Sequence, residues 1–157
     1  MVEQIKNLFH FLLLCGIIDM VILMNVIICL DDNNGMLFNN RRQSRDKVVI
    51  SDIFADLQGE KLCITPFSEK LMAEHLQSVV ACEDVTSLGN GQWFFCENLD
   101  LKPLSDKIER LIVYKWNRVY PSDMKCELDF SLFSLEGECE LQGNSHPVIT
   151  KQIFVRG

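Results

Sequence analysis

Met24-Asn-Val-Ile-Ile-Cys-Leu30, then Asp31-Asp-Asn-Asn-Gly-Met36, then Asp46-Lys-Val-Val-Ile-Ser-Asp-Ile-Phe-Ala-Asp-Leu57 is the stretch that decides the fold. The first run is apolar and β-branched, as a strand buried on both faces requires. The second is dense in turn formers and predicts a loop, with Gly35 supplying a positive φ. In the third, Val48, Val49, Ile50, Ile53, Phe54 and Leu57 fall near helical spacing, Asp46 can cap the start, and Gly59 stops the pattern. A helix over 46–58 is expected.

Working toward the C-terminus, Lys61-Leu-Cys-Ile64 reads as a short buried strand. Thr65-Pro66 resembles an N-cap with proline at the first helical position and predicts a helix over 66–76. Val79-Val-Ala-Cys82 is another inner strand, and Gly89-Asn-Gly91 is a turn into the strand Gln92-Trp-Phe-Phe-Cys96. Beyond Pro103, Leu111–Trp116, Met124–Phe130 and Val148–Val155 are strand-like with few helical signals between them. The expected class is therefore α/β: a mixed, mostly parallel sheet flanked by helices, with an antiparallel C-terminal part. There is no internal repeat.

Working toward the N-terminus, Leu8 to Leu30 is nearly all apolar and long enough to cross a bilayer. Asp19 and Asn25 interrupt it, where a carboxylate is costly, and no small-residue cleavage site follows. The run also changes character, from Leu/Phe-rich over Ile5–Leu14 to β-branched from Met24. Residues 1–23 are accordingly expected to be an apolar extension, from an upstream start or an added amphipathic helix, and 24–157 a single domain. A membrane contact is expected only if residues 8–30 act as an anchor.

A chain of 157 residues fits one domain and can bury a core without metal or disulfide support. Its net charge of −7 makes nucleic acid an improbable partner. The cysteines Cys15, Cys29, Cys63, Cys82, Cys96, Cys126 and Cys139 form no C-x-x-C pair, and their odd number fits reduced thiols in a cytoplasmic, reducing compartment. His10, His75 and His146 are too far apart for a known zinc-hydrolase motif.

Two clusters stand out. Asn39, Asn40, Arg41, Arg42, Gln43 and Arg45 crowd planar hydrogen-bonding groups into one segment of an acidic protein, and arginine forks bind carboxylates or phosphates bidentately. Trp116, Asn117, Arg118 and Asp123 end a strand, where binding sites are commonly built. The plain alternatives are a solvated loop for the first and a structural turn for the second. The Gly89-Asn-Gly91 turn lacks the third glycine of a dinucleotide loop, and the start of the 66–76 helix is the better anion candidate.

Taken in order, these residues resemble the dihydrofolate reductase fold. The first strand, the glycine loop with Met36-Leu-Phe38, and the aspartate opening a helix at Asp46 are similar to that family's substrate loop and catalytic acid. Ile108–Tyr114 and Asn144-Ser-His146 leading into Val148–Arg156 are similar to its last strands. The resemblance implies that Asp46 would hydrogen-bond a pterin-like amidine edge, and that NADPH would be the cofactor. Thr65-Pro-Phe-Ser68 stands where that family carries Gly-Arg-x-Thr for the cofactor phosphate, and its double glycine is replaced as well, so the NADPH motifs are absent. Asp31–Asp46 with Trp116–Asp123 is also similar to a family of small bacterial single-domain proteins, some of which carry a ribonuclease Z label. That label implies a His-x-His-x-Asp-His zinc motif, which this sequence lacks.

With a hydrolase on RNA made improbable by the absent metal motif and the acidic balance, two functions from different classes remain. One is a reductase-like domain that holds a small heteroaromatic or nucleotide ligand between the Asn39–Asp46 segment and the Trp116–Asp123 strand end. The other is a non-catalytic immunity or regulatory protein whose acidic surface meets a basic protein partner.

Overall fold

The computed structural model describes residues 1–14 and 22–157. Helix α1 (Val2–Leu14) exposes Ile5, Leu8, Phe9 and Phe11. Asp19 and Cys15 lie outside the described residues. The strand β1 (Met24–Leu30) is the centre of a seven-stranded sheet, so the last seven residues of the 8–30 apolar run belong to the domain core and cannot also form an anchor. Among the described residues no helix is long and apolar enough to cross a membrane.

The sheet is built from β1, β4 (Leu62–Ile64), β5 (Val79–Ala81), β6 (Trp93–Phe95), β7 (Ile108–Lys115), β9 (Phe133–Leu141) and β10 (Ile149–Arg156). Their spatial order is β5-β4-β6-β1-β7-β10-β9. The pairs β4–β5, β4–β6, β1–β6 and β1–β7 are parallel, while β10 runs antiparallel to both β7 and β9. The sequence signals locate this class correctly: a mixed, mostly parallel sheet with an antiparallel C-terminal edge. A second, three-stranded sheet, β3-β2-β8, is formed by β2 (Gly35–Phe38), β3 (Arg41–Arg42) and β8 (Met124–Lys125).

Strand alternation divides the core into two layers. Val26, Ile28 and Leu30 of β1 face Met36, Leu37, Leu101 and Leu128. Ile27 faces helix α2 (Lys47–Leu57), whose Val49, Ile53 and Leu57 are buried against Leu62, Ile64, Phe95 and Ile112. Each of those side chains contributes about 1.5–3 kcal/mol of apolar transfer free energy. Asp46 caps α2, Gln58 takes a left-handed conformation (φ 49°) at its end, and Gly59 continues at φ 90°.

Four local expectations are corrected. Val79–Cys82 is not an inner strand, because β5 pairs only with β4 at the edge of the sheet and leaves Val80 46 % exposed. The 66–76 helix is two 3-10 turns, Pro66–Ser68 and Ala73–Ser78, because Thr65 Oγ1 bonds Asn98 rather than capping and Ser68 Oγ bonds Glu97. Those tertiary bonds outweigh a weak helical preference. The Met124–Phe130 strand stops at Lys125, where the Cys126 N–H turns to the Asn34 carbonyl and Leu128 enters the core. Finally, the loop after β1 draws its positive φ from Asn34 (60°) and not from Gly35. Gly35 is required for close approach instead: a Cβ there would lie 2.6 Å from Gln43 Nε2 and 2.9 Å from Asp31 Oδ1.

Candidate functional site

The C-terminal ends of β1, β6 and β7 open onto a cleft, with α2 starting beside it. After β1 the chain moves to one side of the sheet, and after β6 it moves to the other. That reversal is where open α/β sheets place ligands. The inner chamber is walled by Cys29, Met36, Val49, Phe95 and Trp116 among apolar groups and by Arg42, Gln43, Asp46 and Glu97 among polar ones. Its free interior has room for roughly one water molecule. It opens past Arg45, Asp46, Ile50 and Leu71 into an outer basin of about 260 Å³, rimmed by Lys47, Lys70, Glu74 and His75.

The two sequence clusters do meet, but only part of each faces the cleft. Asn39 (φ 50°) and Asn40 (φ 58°) are the two central residues of a hairpin turn joining β2 to β3, a position that suits asparagine because it tolerates left-handed backbone. They and Arg41 are exposed at its tip and do not line the cleft. Arg42, Gln43, Arg45, Asp46 and Trp116 do line it. Asn117 ties its turn to β10 by bonds to Thr150 Oγ1 (2.9 Å) and the Val148 carbonyl. Arg118 is exposed above the Tyr120 ring, and Asp123 accepts the Asn39 N–H at 3.0 Å.

Asp31, fully buried, joins the two clusters. It accepts the backbone N–H groups of Asn33, Gly35 and Tyr120 and Nε2 of Gln43. Its neighbour in function is the pair between Arg42 and Glu97: Nε to Oε1 at 2.7 Å and Nη2 to Oε2 at 3.0 Å. Ser68 Oγ donates to the same Glu97 carboxylate at 2.6 Å.

Asp46 is 2 % exposed and receives four hydrogen bonds. Oδ1 accepts from the N–H groups of Val48 (2.8 Å) and Val49 (3.3 Å), and Oδ2 accepts from the N–H and Oγ of Ser145, both at 2.7 Å. Burial pulls its carboxyl up, but the Ser145 and helix N–H bonds outweigh that and hold it below the ordinary carboxylate value. It is ionised at neutral pH, with every lone-pair direction occupied.

Because an ionised carboxylate only accepts, the rest of the chain of bonds has one direction. Ser145 Oγ–H donates to Asp46, so His146 Nδ1–H donates to Ser145 Oγ (2.7 Å), and Tyr120 O–H donates to His146 Nε2 (2.6 Å). The imidazole stacks on Trp116 at 5.0 Å and is pushed below its ordinary value, by burial first, with Asp46 opposing and Arg118 adding. Gly143 makes room for this: a Cβ there would lie 2.5 Å from Asp46 Oδ2.

Cys29 lines the chamber, and burial, reinforced by Glu97 and Asp46, pushes its thiol far above its usual value, which leaves little thiolate at neutral pH. Cys96 is likewise pushed up to about 12, chiefly by burial. Among the described residues, no group of three or more His, Cys, Asp or Glu side chains is placed to hold a metal ion.

A nicotinamide dinucleotide does not fit these residues. Its pyrophosphate needs a glycine-rich turn running into a helix N-terminus. Here β4 and β6 are followed by 3-10 turns, and the residue two beyond the end of β6 is the buried carboxylate of Glu97.

Glu97, Asp31, Ser145, His146, Tyr120 and Lys70 were not among the predicted site residues. An acid directly after a buried aromatic strand end was the available signal for Glu97. Ser145-His146 carried none, since its partner Asp46 is 99 residues away.

No family model matches the sequence, and no curated protein matches it. Among solved structures, dihydrofolate reductase from Enterococcus faecalis, complexed with NADP(H) and RAB-propyl, is similar with a TM-score of 0.63 over 86% of this chain and 96% of that one. The identity is 9%, so the likeness is one of fold. The chain has a dihydrofolate-reductase-like fold.

Proposed function

We propose that this chain is a small-molecule binding domain whose ligand is a nucleotide or a heteroaromatic anion held in the cleft at the strand ends. The observation that carries the reading is the outer basin. In a chain of net charge −7, Arg45, Lys47 and Lys70 line it against Asp46 and Glu74, around Ile50 and Leu71. None of the three makes an ion pair among the described residues. Apolar surface beside cations is what an anion bearing a flat ring requires.

Asp46 enters this reading as the fixed wall between basin and chamber. A general acid needs a raised pKa and a free lone pair facing its substrate, and Asp46 has the opposite of both. Binding is therefore the function proposed, with no catalytic step assigned.

The test is the thermal midpoint of the full chain with mononucleotides, pterins and flavins. A ligand at a hundredfold excess over its Kd stabilises the folded state by about 2.7 kcal/mol. Loss of that shift in the double variant Arg45→Ala, Lys70→Ala would place the ligand in the basin. If none of these compounds moves the midpoint at millimolar concentration, the reading fails.

A further inference from the structure

The inner chamber, though joined to the basin, is filled by the chain's own side chains to about the room of one water molecule. Arg42 comes from β3 of the small sheet and Glu97 from the turn after β6 of the large one, so their pair bridges the two sheets across the chamber. A bidentate, charge-assisted contact of this kind is geometrically specific. It is also braced: Arg42 Nη2 donates to the Phe67 carbonyl at 3.3 Å, its guanidinium lies 5.0 Å from the Phe67 ring centroid, and Ser68 holds Glu97. A ring entering the chamber would have to part the pair and leave the Glu97 carboxylate, itself 8 % exposed, without its cation.

We propose that the Arg42–Glu97 pair is a plug that sets specificity: it confines the ligand to the outer basin and restricts it to single-headed anions of mononucleotide size. Dinucleotides lie across the crevice at the reversal of strand order, with one head on each side. Here the crossing is filled. The size restriction rests on the ligand reading above, whereas the plug itself is a property of the free protein.

Two arms test it on the full chain. In the first, Cys29, which lines the chamber, is labelled with iodoacetamide and followed by peptide mass spectrometry in the wild type and in Arg42→Ala. Glu97 raises the Cys29 pKa more than Arg42 lowers it, so removing both speeds labelling by charge alone; Arg42→Ala by itself removes only the lowering charge, and its acceleration reports opening. Labelling is expected to accelerate on the order of tenfold. An unchanged rate overturns the plug. Cys63, buried in the layer on the other face of the sheet, is the internal control. If it labels in step with Cys29, the variant has unfolded. Arg42→Lys, which keeps the charge and loses the fork, then carries the arm with the same expected direction.

In the second arm, ADP and NADH are compared by calorimetry. They share the adenosine diphosphate unit and differ by the nicotinamide riboside. NADH is expected to bind no tighter than ADP, and an NADH affinity roughly tenfold or more above that of ADP overturns the size restriction. Binding of neither refutes the ligand reading, and with it the size restriction, while the labelling arm still decides the plug.

Discussion

Asp46→Asn separates two roles that the carboxylate plays at once. As an N-cap, asparagine is as good as aspartate, so the bonds from Val48 and Val49 are retained. What is lost is the anionic Oδ2 that takes two donors from Ser145. Charge-assisted hydrogen bonds contribute roughly 1.5–3 kcal/mol each. Ser145 is exposed and recovers water in the variant, which reduces the expected net loss to about 2 kcal/mol. Asp46→Ala also removes the cap, worth about 1 kcal/mol more. Urea unfolding at pH 7 measures both. The pH dependence has a definite sign: the folded pKa lies below the ordinary 3.8, so the carboxylate's contribution is present above that value and fades as the pH falls through the folded pKa. The gap between wild type and Asp46→Asn should therefore stay constant from pH 7 to 5 and close only in strong acid. A gap under about 0.5 kcal/mol at pH 7 would refute the reasoning, since that is the scatter of an ordinary surface substitution. So would a gap that closes between pH 5 and 7, the mark of a carboxyl held high.

Gly143→Ala would put a Cβ 2.5 Å from Asp46 Oδ2, 2.6 Å from Ile149 Cδ1 and 2.8 Å from the His146 carbonyl oxygen. It should lower stability by about 1–3 kcal/mol, read in the same urea experiment. Lys151 is buried on β10 and pairs with both Asp52 and Asp56 of α2, where Asp52 also accepts the Tyr114 hydroxyl. Lys151→Met should cost about 2 kcal/mol, below the range for a fully buried pair because both aspartates keep contact with water. His146 sits below the ordinary 6.5, so stability should rise with pH through the window just under that value, and His146→Phe should flatten the slope. Calorimetric midpoints that fall over that window would show the imidazole stabilised as a cation.

Local signals located the elements whose physics is local. A seven-residue run with six apolar residues, an aspartate before a helical pattern and a glycine after it mark β1 and α2 within a residue or two. The hairpin at Asn39-Asn40 was as local, but two adjacent asparagines crowded with arginines read equally as a binding loop and as a type I′ turn. The 66–76 segment went wrong because its hydroxyls bond residues about 30 positions away.

By itself, the sequence determined the class of fold, the first strand and the capped helix. Periodicity, capping and charge are carried by neighbours in the chain, so they can be read along it. Only the tertiary structure decided that Asp46 is saturated by Ser145, that Glu97 pairs with Arg42 across the chamber, and that Lys70 joins Arg45 and Lys47 at one basin. Hydrogen-bond capacity is filled by whatever the fold brings within 3 Å or so, and the partners of Asp46 and Arg42 lie 99 and 55 residues away.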